Sequence, residues 1–491
     1  MNSPLPDPAL FSTLNLAILC SYFAAMIFIG ILVARRQRTT EDYFLAGRKM
    51  PWLVVAMSMY ASLTSAVTYM GLPSTAYQEN ISLIVVSVIS PLVAPFLIFI
   101  FYPIYRSMRV TTSYEYLAKR FGRNARFAAS GLFILARLGW MGTVIYAPAM
   151  MLSVVTTLPL WQGILLMGLV ATLYTALGGI AADIWTDVVQ FIIMIAGAAW
   201  LVIALLNGVP GGFHEILRIA GENGRLQVLD WHFSWYKMTG AAVALSFFFQ
   251  LLQDYGTDQT TVQRLMTTPD LKSTVKAIVF NACTDFIIVA TLLFIGIGMF
   301  AYYCHFPERL AASAGGDSIL PYYIIHALPN GISGLLVTAI FAAAMSSMDS
   351  GISSLSTVIV NDFVRPLSHG RTDHQDLNLA RGLVVVLGIL ATAVAFYVAG
   401  FQHIIKAYTS FISLFSGPVL ALFLLGMLTR RAHFKGWLVG CAASMVVSFL
   451  VQYVFKIHWI YFFPFSFGTA FLVGLAASYL PWKMDIPAPH R

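Results

Sequence analysis

Residues 342–362 read AAAMSSMDSGISSLSTVIVND, inside an apolar segment that begins near Gly334. A lipid-facing helix has little use for so many hydroxyls, and an aspartate at a helix centre in the bilayer costs about 2.5–3.5 kcal/mol. The polar positions are ordered. Ala343, Ser346, Ser347, Ser350 and Ser354 recur at steps of three and four, which places them on one face of a helix. Asp349 flanks that face. Small residues and serines also permit close helix packing, but packing alone gives no reason for Asp349. The stretch therefore reads as the interior of a helix bundle or as part of a cation pathway.

The rest of the chain supplies the bundle. Its 491 residues are 59 % hydrophobic and 10 % charged, with mean hydropathy +0.78, a composition that excludes a soluble globular domain. Cys20, Cys283, Cys304 and Cys441 are dispersed and lack metal or disulfide-framework spacing. The N-terminal segment lacks a basic n-region, and Arg35, Arg36 and Arg38 follow the first apolar run, so that run reads as a membrane helix rather than a signal peptide. No HExxH, GxSxG, Walker or GxGxxG pattern is present, and the chain does not read as an enzyme.

Apolar runs of about 20 residues or more predict thirteen transmembrane helices in an all-α polytopic protein. With the N-terminus outside and the C-terminus inside, inner loops and the tail carry 22 Lys and Arg, outer loops 6, and Arg137 lies within a span. That bias follows the positive-inside rule. It assigns the net charge of +8 to topology and not to nucleic acid. Arg137 is expected to snorkel to the inner interface. The basic segment 112–127 is expected to lie along the inner surface, and the outer connections 207–238 and 305–330 to form short helices.

Two spans carry breaker chemistry. The second has Ser58, Ser62, Thr64, Ser65 and Thr68, followed by Gly71 and Pro73. It reads as a discontinuous helix whose freed carbonyls can bind a cation, or as a Pro-kinked helix. The seventh turns polar at Gln250, Gln253 and Asp254 before Gly256. Interrupted spans five apart suggest an inverted repeat. The expected division is a peripheral helix and inner loop (1–50), a first five-helix repeat (51–206), an outer loop (207–238), a second five-helix repeat (239–428) and two peripheral helices (429–491).

EDYFLAGRKMP (41–51), TSYEYLAKRF (112–121), LYTALGGIAADIWTDVVQ (173–190), DQTTVQRLMTTPDLKSTVKA (258–277) and AAAMSSMDSGISSLSTVIVNDF (342–363) together resemble the sodium:solute symporters. GTVIYAPAMML (142–152) and DQTTVQR (258–264) are most similar to the monocarboxylate, iodide and multivitamin branch, and to bacterial sialic acid symporters. The resemblance implies a LeuT-like 5+5 inverted-repeat core and a sodium-coupled symporter at the plasma membrane (the inner membrane in a Gram-negative bacterium), functional as a monomer. Its partners would be Na+, a small solute and the lipid bilayer. Carried over, the main sodium site would use Ala61, Thr64, Ala343, Ser346 and Ser347. A second sodium site would use Asp187, Ser346, Asp349 and Ser350, although Asp349 stands where the sialic acid branch has serine. Asp187 also reads simply as a carboxylate near a helix N-terminus. The substrate pocket would be formed by Ser65, Thr68, Tyr69, Leu83, Ser87, Trp140, Phe247 and Gln250. The expected solute is a monocarboxylate or another small organic anion. A sugar, polyol or sialic acid is the second reading, and proton coupling through an aspartate a third. Trp140 replaces an arginine of the sialic acid branch, which counts against sialate.

Overall fold

The computed structural model describes residues 11–34, 39–156, 158–228, 234–311, 315–368, 371–400 and 404–480. Among these residues every regular element is a helix. Ten of the described helices are long and apolar enough to cross a membrane, or up to eleven with one bent pair. The thirteen expected spans include 160–178 and 239–259. There the structure has a shorter apolar stretch, Leu160–Thr172, and the helix Gly240–Gly256.

The Ile332–Val358 helix, which carries the serine face, is the centre of the bundle. In an apolar 18-residue stretch of Ile332–Leu367, 89 % of residues are buried, against 22 % in the corresponding stretch of Thr13–Val33 at the rim. It packs on Thr13–Ala34, Trp52–Leu63, Ala66–Gln78, Arg123–Val155, Leu160–Gly208, Gln259–Met266 and Asp373–Val398. A helix surrounded by protein can carry hydroxyls, because its neighbours supply hydrogen-bond partners that lipid cannot.

The bent pair is Trp52–Leu63 and Ala66–Gln78, at 61°. The break falls at Thr64 and Ser65, in the hydroxyl-rich middle of the span. Gly71 and Pro73 stay inside the second half, so they do not make the break as the Gly-x-Pro pattern suggests. The seventh span is also interrupted. Gly240–Gly256 ends at Thr257, and Asp258 starts Gln259–Met266 by accepting the Thr260 N–H at 2.9 Å. Gly179, at φ 56, makes the corner within Leu160–Gly208, a left-handed conformation that favours glycine.

The connections 207–238 and 305–330 form the short helices Gly212–Glu222 and Ile319–Ala327, as expected. The segment 112–127 packs one face against the bundle. Its Tyr114–Phe121 helix buries Tyr114, Tyr116 and Leu117. Nearby, Asp362 accepts from Arg126 Nε at 2.8 Å, Thr112 Oγ1 at 2.7 Å and Ser130 Oγ at 2.6 Å. The end of the serine helix is thereby fastened to the start of Arg123–Val155.

Helix contact is close at Gly296, where an added Cβ would lie 2.4 Å from the Pro73 carbonyl oxygen and 2.6 Å from Ala76 Cβ. Both neighbours belong to the second half of the broken helix. Gly296→Ala is expected to destabilise by about 1–3 kcal/mol through overpacking, read as a lower melting temperature of the purified protein.

Candidate functional site

The break at Thr64 removes the donors that a continuing helix would offer to the carbonyls before it. The serine helix supplies replacements. Ser346 Oγ donates to the Ala61 carbonyl at 2.8 Å and lies 3.1 Å from the Ala343 carbonyl. Ser347 Oγ donates to the Ser62 carbonyl at 3.0 Å. Ala61, Ala343, Ser346 and Ser347 are fully buried, and Thr64 caps the broken helix with its N–H on the Tyr60 carbonyl at 2.9 Å. The structure thus gathers the five residues of the first set around one helix break. All the donors are neutral oxygens, which suit a hard cation, and the serine hydroxyls can rotate from donating a proton to presenting a lone pair.

The second set is arranged differently. Asp187 and Ser350 both contact Arg264, a residue absent from that set. Arg264 and Asp187 form an ion pair at 3.0 Å, with neither side chain exposed. Arg264 Nε donates to Ser58 Oγ at 2.9 Å, and Ser58 Oγ donates to Asp187 Oδ2 at 2.6 Å. Arg264 Nη2 also donates to Ser350 Oγ. Asp183, one turn before Asp187, lies within electrostatic reach of the same guanidinium. Asp349 is held by Thr175 Oγ1 at 2.6 Å. This corrects the loop tally. Arg264 is not a loop charge but a fully buried residue of Gln259–Met266, so the tally of 22 for the loops expected inside falls by one.

A cavity opens beside the first set. Ser65, Thr68, Leu83, Trp140, Phe247 and Gln250 line it, as the sequence led one to expect, and Thr64 of the first set lines it as well. Two expected residues do not. Tyr69 directs its hydroxyl to the Met194 carbonyl at 3.1 Å. Ser87 is fully buried outside the lining, and its neighbours Leu83 and Val86 face the cavity instead.

The cavity also has members outside the expected set. Arg137 does not snorkel. It is 5 % exposed, pairs with Asp258, donates to Thr260 Oγ1 at 2.5 Å and stacks over Trp140 at 4.3 Å. Asp254, Asp258 and Asp285 line the same space, as does Trp459 from the C-terminal part expected to be peripheral. Asp285, an apolar-span acid with no evident sequence partner, was the available signal.

The sodium:solute symporter family matches residues 43–443. The chain belongs to that family. This symporter is 31 % identical over 466 residues to the sodium/sialic acid symporter NanT of Aliivibrio fischeri, covering 94 % of this chain and 92 % of the relative. It is 31 % identical over 455 residues to the sodium-coupled monocarboxylate transporter 2 of Mus musculus, covering 90 % and 72 %. Its fold resembles a substrate-bound, outward-open Na+-coupled sialic acid symporter with a TM-score of 0.90 at 29 % identity, covering 95 % of this chain and 98 % of that one. The symporter is therefore a multi-pass membrane transporter and not an enzyme, and its coupling ion is sodium.

Proposed function

We propose that this symporter imports a small polar organic solute together with sodium by alternating access, with Ala61, Thr64, Ala343, Ser346 and Ser347 as the sodium site. The observation that carries the reading is the pair of serine hydroxyls bonded to the carbonyls at the break. Sodium entering there would replace two O–H donors with one cation and join the broken helix to the serine helix. The break adjoins the cavity through Thr64 and Ser65, so sodium binding would also set the shape of the cavity wall. Sodium and solute would then each raise the other's affinity, as linkage requires. The membrane potential adds about 2.3 kcal/mol per charge per 100 mV.

In this reading Arg264 supplies a fixed positive charge where a second sodium was expected between Asp187 and Ser350. A single sodium per cycle follows. The solute would bind among Ser65, Thr68, Trp140, Phe247 and Gln250. An organic anion, the solute class first expected, gains no support from the lining. Arg137 is its sole cation among the described residues, and it is engaged by Asp258. A solute without net negative charge fits better.

The proposed topology keeps thirteen spans, two five-helix repeats at 51–206 and 239–428, an outer N-terminus and an inner C-terminus, in a monomer at the plasma membrane. The excess of inner-loop Lys and Arg supports that orientation even without Arg264.

Sodium itself provides the test. Purified protein in NaCl should unfold at a higher temperature than in KCl of equal ionic strength. Stabilisation should reach about 2.7 kcal/mol when sodium is a hundredfold above its Kd. Identical melting in the two salts would refute the site.

A further inference from the structure

The lining of the cavity is acidic. Asp254, Asp258 and Asp285 face Arg137 alone among the described lining residues. Arg137 is committed to Asp258 and Thr260, and its guanidinium is stacked on Trp140. Asp285 Oδ2 is buried and makes no hydrogen bond. Tyr255 lies within electrostatic reach of both Asp254 and Asp285, and Tyr60 within reach of Asp285. Both tyrosines line the cavity, as does Trp459.

A carboxylate at membrane depth needs a cation or a proton. Among the described residues no group of three Asp, Glu, His or Cys side chains is placed to hold a metal ion. Aromatic faces beside a carboxylate are instead suited to an organic cation, which they attract through the ring quadrupole while covering its apolar part. An anionic solute would meet like charge on two sides, a strong discrimination against it.

We propose that the cavity takes a small organic solute bearing an ammonium group, with the ammonium on Asp285 and its apolar part against Tyr60, Tyr255 and Trp459. Asp254 supplies a second negative charge nearby. The proposal rests on reading this cavity as the solute site. A zwitterion fits if its carboxylate lies toward Ser65 and Thr68, next to the sodium site.

The test uses matched probes on the full-length protein in NaCl. One series is choline, glycine betaine, 3,3-dimethylbutanol and 3,3-dimethylbutyrate. The other is 5-aminopentanol, 5-aminovalerate, 1,5-pentanediol and valerate. Ammonium-bearing members should bind at least tenfold more tightly than their neutral and anionic counterparts by calorimetry or thermal shift. Asp285→Asn should remove that preference and keep the sodium-induced shift of the protein alone, which shows that the variant is folded and its sodium site intact. Asp285→Glu should retain the preference in part. Tighter binding of the anions, no binding of any ammonium probe, or a preference indifferent to Asp285→Asn would overturn the proposal. So would loss of the sodium shift in Asp285→Asn with the sodium shift intact in Asp285→Glu, because Asp285 would then serve sodium. A wild-type protein that binds the ammonium probes equally in NaCl and KCl would leave the ammonium site standing and refute the sodium coupling instead.

Discussion

Ser346→Ala combined with Ser347→Ala should abolish sodium-dependent stabilisation and reduce 22Na+ binding to the level seen in excess potassium. Each substitution removes a hydroxyl that reaches a carbonyl at the helix break, Ala61 at 2.8 Å and Ser62 at 3.0 Å. Two oxygen ligands are lost at once, and no carboxylate in the proposed site can compensate. The double variant should also lose intrinsic stability, because a buried carbonyl left without a donor costs about 1–3 kcal/mol. Ser346→Thr with Ser347→Thr separates the two effects. Threonine retains the hydroxyl, so sodium binding should persist wherever the extra methyl is accommodated. Membrane insertion, followed by a C-terminal reporter, should be unchanged in every variant. Retained sodium binding in the double alanine protein would eliminate the site.

Arg264→Gln should be the most destabilising single polar substitution in the bundle. The guanidinium is fully buried and serves Asp187, Ser58 and Ser350 together. Removing one member of a buried ion pair costs about 3–5 kcal/mol, since the remaining charge has no solvent to relax into. Asp187→Asn should be nearly as harmful for the mirror-image reason. The combination Arg264→Gln with Asp187→Asn should recover much of the loss, leaving two neutral amides near Ser58. A thermal double-mutant cycle measures the coupling. If Asp187 were a sodium ligand in its own right, Asp187→Asn would instead remove the sodium response, and adding Arg264→Gln would not restore it. A double variant no more stable than the worse single would dissolve the pair as a unit.

These two expectations stand differently toward the sequence. The serine face could be read directly, since steps of three and four put Ser346, Ser347 and Ser350 together on any helix. The hydroxyl-rich centre of the second span marked the broken helix, although the break lies at Thr64 and Ser65 rather than at Gly71 and Pro73. The family resemblance then pointed to the contact between those two helices. Arg264 was not legible. A basic residue after a polar turn in TDQTTVQR looks like the beginning of an inner loop, and its hydropathy is no different when it is buried. Arg137 was misplaced for the same reason. Snorkelling and burial against an acid put the same residue in the same apolar run.

The sequence by itself determined what local chemistry and the bilayer impose: a membrane bundle, a helix able to carry hydroxyls only in its interior, and interrupted spans whose backbone must find partners within the protein. Only the tertiary structure decided which charges neutralise each other. Arg264 meets Asp187 across 77 residues, and Arg137 meets Asp258 across 121. No periodicity spans such distances. Coulombic pairing in a low-dielectric interior depends on separation in space, and helix packing alone sets that. Of the two, Arg137–Asp258 lies in the cavity, where it leaves Asp254 and Asp285 as the lining carboxylates outside that ion pair.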